Sequence, residues 1–62
     1  MTGPEFRALR LGLGLTQAGL AAEMGLPRAS GQPQICRWER GKRPIPRRVT
    51  AHLRLLTERA LS

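Results

Sequence analysis

Sixty-two residues with eleven Lys or Arg, four Asp or Glu and a formal net charge of +7 make a short, strongly basic chain. At 40% hydrophobic and 24% charged it has a globular balance, yet a chain this short has little room for both a core and a deep catalytic pocket, so no enzyme is expected. No apolar run approaches the roughly 18 residues of a membrane span, no secretory pattern opens the chain, and the lone Cys36 can close no intrachain disulfide, which fits a reducing cytoplasm.

The chain reads as one all-α domain, 1–62, with four helical segments and no convincing strand. Thr2-Gly3-Pro4-Glu5 is a capping box, with Thr at the cap, Glu three residues on and Pro in the first turn, where its missing N–H is harmless. Phe6, Leu9 and Leu13 then recur on one helical face, and Gly14 suits a left-handed terminus. Gly12 inside that helix costs up to about 1 kcal/mol relative to Ala. Thr16 is the next N-cap, ahead of Gln17; Leu20, Ala21 and Met24 form a short buried stripe that Gly25 ends. Leu26 through Gln34 holds two Pro, a Gly and a Ser and reads as a long loop. Ser30 or Gly31 caps a third helix, whose Pro33 is tolerable only in the first turn. Ile35, Trp38 and Glu39 share its inward face, with Pro33, Cys36, Arg37 and Arg40 opposite. Gly41 stops it, Lys42 to Pro46 is a rigid basic connection, and Pro46 opens a last helix with the stripe Val49, His52, Leu53, Leu56 and Ala60.

Charge is distributed unevenly along this plan. Residues 1–27 balance Arg7 and Arg10 against Glu5 and Glu23, whereas residues 28–62 carry nine basic and two acidic side chains and so hold the whole excess. Six basic residues and one acid lie between Arg37 and Arg48. Scattered Lys and Arg are commonly just a solvated face. Ten Arg to one Lys, so concentrated, favour an anionic polymer, because guanidinium forks grip phosphate oxygens bidentately.

The run Leu-Gly-Leu-Thr-Gln at 13–17, Leu20-Ala21, Met24-Gly25, Ile35 and Trp38-Glu39-x-Gly41, preceded by Arg10, resembles the Cro/CI-type (XRE, lambda-repressor-like) helix-turn-helix family from Phe6 to about Leu56. Each motif alone is weak; their order and spacing together are specific. The resemblance implies a compact domain of four helices, or five, whose third helix, at about 32–40, lies in the major groove. It implies that Arg10 and Glu39 pair internally and hold that helix on the scaffold. Gln17 matches a residue that donates to a DNA phosphate and supports the recognition helix; its alternative is a solvated first-turn side chain. Base contacts fall to Gln32, Pro33, Gln34 and Arg37: Gln amides suit adenine, Arg suits guanine, and Pro33 offers only an apolar contact. Arg37 has phosphate contact as its alternative. Arg40, Lys42, Arg43 and Arg47 match the region that grips the backbone.

One departure is the connection from Gly25 to Ile35, several residues longer than the family's usual tight turn. It leaves the register of Gln32 and Gln34 open by one residue and makes Arg28 and Ser30 candidates for extra backbone contacts. Leu11, Leu55 and Leu61 lie off the core stripes and read either as ordinary exposed leucines or as a homodimer surface. The partner implied is then double-stranded DNA carrying a pseudo-palindromic operator.

No cofactor, metal or small-molecule ligand is read from the chain. His52 has no neighbouring ligand residues, Cys36 reads as an ordinary small residue with a redox switch as its alternative, and no nucleophile–base pair is evident. The two aromatic residues, Phe6 and Trp38, read as buried, which disfavours single-stranded RNA binding. The function expected is a small DNA-binding repressor of phage or mobile-element type. The alternative is a protein-interaction or antitoxin-like module whose basic face meets an acidic partner.

Overall fold

A computed structural model describes residues 1–61, and of Leu61 only the backbone. Four helices follow one another without strands among the described residues: α1 (Gly3–Gly12), α2 (Gln17–Glu23), α3 (Gly31–Glu39) and α4 (Arg47–Leu61). None is long and apolar enough to cross a membrane.

Local chemistry sets the helix ends. Thr2 Oγ1 accepts from the Glu5 amide at 3.2 Å while the Glu5 carboxylate accepts from the Thr2 amide at 3.2 Å, closing the capping box. Thr16 Oγ1 accepts from the Gly19 amide at 2.9 Å and starts α2. The first three helices end alike, at Gly14, Gly25 and Gly41, each with φ near 70°. In each case the glycine amide and the one after it reach back to carbonyls of the last turn, Gly41 to Trp38 and Lys42 to Arg37 in α3. These are Schellman ends, which need a left-handed residue and so favour glycine.

The expected loop from Leu26 to Gln34 is shorter than its composition suggests. The Ser30 and Gly31 amides both donate to the Pro27 carbonyl, at 3.2 and 2.7 Å, so the segment winds into a turn that leads directly into α3 at Gly31. Ser30 occupies the N-cap but makes no side-chain capping bond. Pro33 lies in the first turn of α3, where no helical bond is lost.

Phe6, Leu20, Ala21, Ile35, Trp38 and Leu53 form the core, drawn from all four helices, and Leu9, Leu13, Leu15, Met24, Leu26, Ile45, Val49 and Leu56 pack around it. Phe6 and Trp38 meet edge to face with ring centroids 5.9 Å apart. Two glycines permit the closest approaches. A Cβ on Gly3 would overlap the Glu39 carbonyl oxygen and lie 2.8 Å from that of Trp38; one on Gly31 would lie 2.9 Å from the Cβ atoms of Ala21 and Leu26. Ala60, placed on the core stripe by periodicity, is exposed. The helical period continues to the end of α4, but the packed partners along its apolar side, Val49, Leu53 and Leu56, do not.

Candidate nucleic-acid interface

The two sides of α3 are chemically distinct. Its inner side carries Ile35 and Trp38 in the core and the Glu39 carboxylate, whose side chain is 5% exposed. A carboxylate so buried is costly unless its oxygens are bonded. Arg10 supplies a fork: Nε donates to Glu39 Oε2 at 2.6 Å and Nη2 to Oε1 at 3.2 Å, while Nη1 donates to the Leu15 carbonyl at 2.9 Å. Arg10 thus ties α1, the α1–α2 turn and the end of α3 together. Among the described residues no buried side-chain nitrogen or oxygen lacks a partner.

The network continues to the surface. Gln17 Nε2 donates to Glu39 Oε1 at 3.2 Å, and Gln32 Nε2 donates to Gln17 Oε1 at 2.8 Å. Gln17 is half-buried rather than a solvated first-turn side chain, and Gln32 is exposed. Helical geometry then separates the candidate contacts. Gln32 flanks α2, whereas Gln34, half-buried, lies toward the start of α4 and lines a cleft with Trp38, Pro46, Arg48 and His52. Pro33 and Cys36 are half-buried, and Arg37 and Arg40 are exposed on the outer side.

Cations border both flanks of α3. On the Gln32 side, Arg28 of the long connection lines one shallow hollow with Thr16, Gln17, Ala18 and Gln32. On the Gln34 side, Arg43 and Arg37 line another with Trp38, Pro44 and Pro46. Lys42 and Arg47 are exposed, and Ser30 is half-buried. The side chains of Arg28, Arg37, Arg40, Lys42, Arg43 and Arg47 make no hydrogen bond or ion pair with another described residue.

Three features escape a reading of the sequence. Arg48 lies beside Gln34 through the fold alone, since only the helix crossing brings the start of α4 to that flank. The glutamine relay joins residues 15 positions apart, and no local pattern signals it. Gly3 and Gly31 look like helix-start residues, and their contact role depends on what packs against them. Comparison of the chain with family models, with curated proteins and with solved structures finds no match.

Proposed function

We propose that this chain is a sequence-specific double-stranded DNA-binding regulator, a small repressor that reads the major groove with α3, as its resemblance to the Cro/CI-type family implies. The observation that carries the reading is the division of labour on α3. Its inner side is consumed by the core and by Arg10, while its outer side and both borders hold six basic side chains with no hydrogen-bond or ion-pair partner among the described residues. A helix is about 10–12 Å across with its side chains, and the major groove of B-DNA is about 12 Å wide. With α3 seated there, Gln32, Pro33, Gln34 and Arg37 face base edges. Arg28 and Ser30 on one border and Arg40, Lys42, Arg43 and Arg47 on the other face the two phosphate strands. The exposed Leu11 and Leu55 offer apolar surface for a homodimer; the side chain of Leu61 lies outside the described residues. A dimer would address a pseudo-palindromic operator with half-sites roughly 34 Å apart and act in the cytoplasm by occluding polymerase.

Selection from a randomised duplex library, followed by binding measurements across salt concentrations, tests this. The expected result is an enriched pseudo-palindrome. Log K should fall against log salt with a slope of about −4 to −5, for four to six phosphates neutralised. No enrichment and a slope near zero overturn it, and leave the basic face to an acidic protein partner.

A further inference from the structure

Trp38 is 6% exposed, yet its indole N–H donates to no other described residue. Among the described residues no buried side-chain nitrogen lacks a partner, so this N–H must reach solvent. The ring lines a cleft of about 410 Å³ between the end of α2, α3 and the start of α4, and the donor opens there. Volumes of this size hold small ligands. Gln34, Arg48 and His52 converge on the same cleft, and none of these side chains forms a hydrogen bond or ion pair with another described residue. Arg48 and His52 stand one turn apart on one side of α4. The Arg47 and Arg48 amides, at the positive end of this 15-residue helix, also lack a partner among the described residues. No carboxylate lines the cleft, nor the hollow that shares Gln34, Trp38 and Pro46 with it and adds Arg37 and Arg43. The remaining walls are apolar, Met24 and Pro46 among them.

Donors without acceptors, set among apolar walls, define the occupant. A cation is repelled by Arg48, and a metal ion would find a single imidazole with no carboxylate or thiolate. A small inorganic anion would leave the apolar walls unused. We infer that the cleft between α3 and α4 is a binding site for a small aromatic carboxylate. The Arg48 fork takes the carboxylate bidentately, with the Gln34 amide and an imidazole N–H of His52 as further donors. The ring lies against Trp38 and Met24, whose polarizable sulfur favours aromatic contact. The indole N–H of Trp38 gains the acceptor that the protein itself does not supply. A consequence for regulation rests on the DNA-binding reading above, in which Gln34 faces a base and Arg43 a phosphate strand. The occupant engages Gln34 and brings negative charge to that flank, so it competes with DNA.

Benzoate, titrated into the full chain at constant ionic strength, is the probe. Trp38 is the sole tryptophan and His52 the sole histidine, so their indole and imidazole NMR resonances report occupancy directly. Both should shift to saturation, with half-saturation at about 1 mM or below, the affinity open to so small a ligand. Benzamide keeps the ring without the charge, and acetate and inorganic phosphate carry charge without the ring; each should bind at least about tenfold more weakly. Arg48→Met keeps an apolar stem and removes the fork, and melting curves establish that it folds. Its benzoate affinity should fall about tenfold, to that of benzamide. Arg7→Met removes the same charge from an exposed position on α1 and should leave benzoate binding unchanged. Absence of a saturable shift, equal binding of acetate or phosphate, or undiminished binding by Arg48→Met overturns the site. On duplexes enriched by selection, saturating benzoate should weaken wild-type binding by about fivefold or more, the lower end of ordinary coupling between ligands, and leave Arg48→Met unaffected. A wild-type DNA affinity that does not move overturns the competition. A wild type that enriches no duplex overturns the DNA-binding reading, and the benzoate titration still decides the site.

Discussion

Residues 1–27 and residues 28–62 use arginine in opposite ways. In the first, Arg10 turns inward until its side chain is 8% exposed, and Nε, Nη1 and Nη2 are all spent on Glu39 and the Leu15 carbonyl. In the second, the side chains of Arg28, Arg37, Arg40, Arg43 and Arg47 are solvent-exposed and bond to no other described residue. The difference lies in the available acceptor. A guanidinium can leave water where a carboxylate meets it bidentately and the remaining nitrogen also finds an oxygen. Elsewhere it stays outside, ready for an anion that the protein does not contain. A count of arginines therefore overstates the attraction of the first region and describes the second well.

Removing an acceptor should separate the two regions most sharply. Glu39→Ala leaves the Arg10 guanidinium buried without its counter-charge and should cost about 3–5 kcal/mol. Arg37→Ala removes a solvated cation and should change stability by no more than about 0.5 kcal/mol. Urea unfolding of both variants measures the contrast, and similar losses would erase it.

A smaller effect distinguishes scaffold glycines from spectators. Gly3→Ala should destabilise by about 1–3 kcal/mol, because the new methyl group meets the α3 carbonyls. Helix propensity alone predicts the opposite sign. Gly12→Ala, whose Cβ would meet nothing within 4 Å, should stabilise by up to about 1 kcal/mol. Thermal melts that move in the same direction for both would show that contact with α3 does not govern the first helix.

The mildest test concerns Glu5, the capping acid of the neutral region. The Thr2 amide and hydroxyl hold its carboxyl below its ordinary value, with Arg54 a minor contributor. A depressed folded-state value means that its contribution is present above the unfolded value and is lost as pH falls through the folded one. Glu5→Gln should therefore flatten the dependence of Tm on pH below about 4.3, the unperturbed value for Glu. An unchanged acid limb would remove Glu5 from the pH response.

Much of the fold is legible in the sequence, for local reasons. Thr2, Thr16, Gly14, Gly25 and Gly41 act within a turn of themselves, so their neighbours in sequence suffice to read them. Ile35 and Trp38 follow from helical period. The meeting of Arg10 and Glu39, 29 positions apart, was suggested only by a family resemblance, since nothing local demands it. Ala60 fails because periodicity describes a helix and not how far its partners extend. Of the candidate interface, the residue types were legible. Their grouping, Gln32 with Gln17 and Arg28 on one flank and Gln34 with Arg43 on the other, was not, because it depends on how α2 and α4 border α3.

The connection before α3 has a consequence for how such a chain can change. Its two ends are held by the scaffold: the Leu26 amide closes α2, and Gly31 sits against Ala21 and Leu26 at distances that admit no side chain. What lies between, residues 27–30, is largely exposed. Loop-closure cost rises by only about 0.6 kcal/mol for each doubling of length. Insertions there can therefore accumulate at little thermodynamic expense while the helices on either side keep their positions. This segment is the point at which the protein can acquire new surface chemistry beside α3, by drift or by design, without the core being rebuilt.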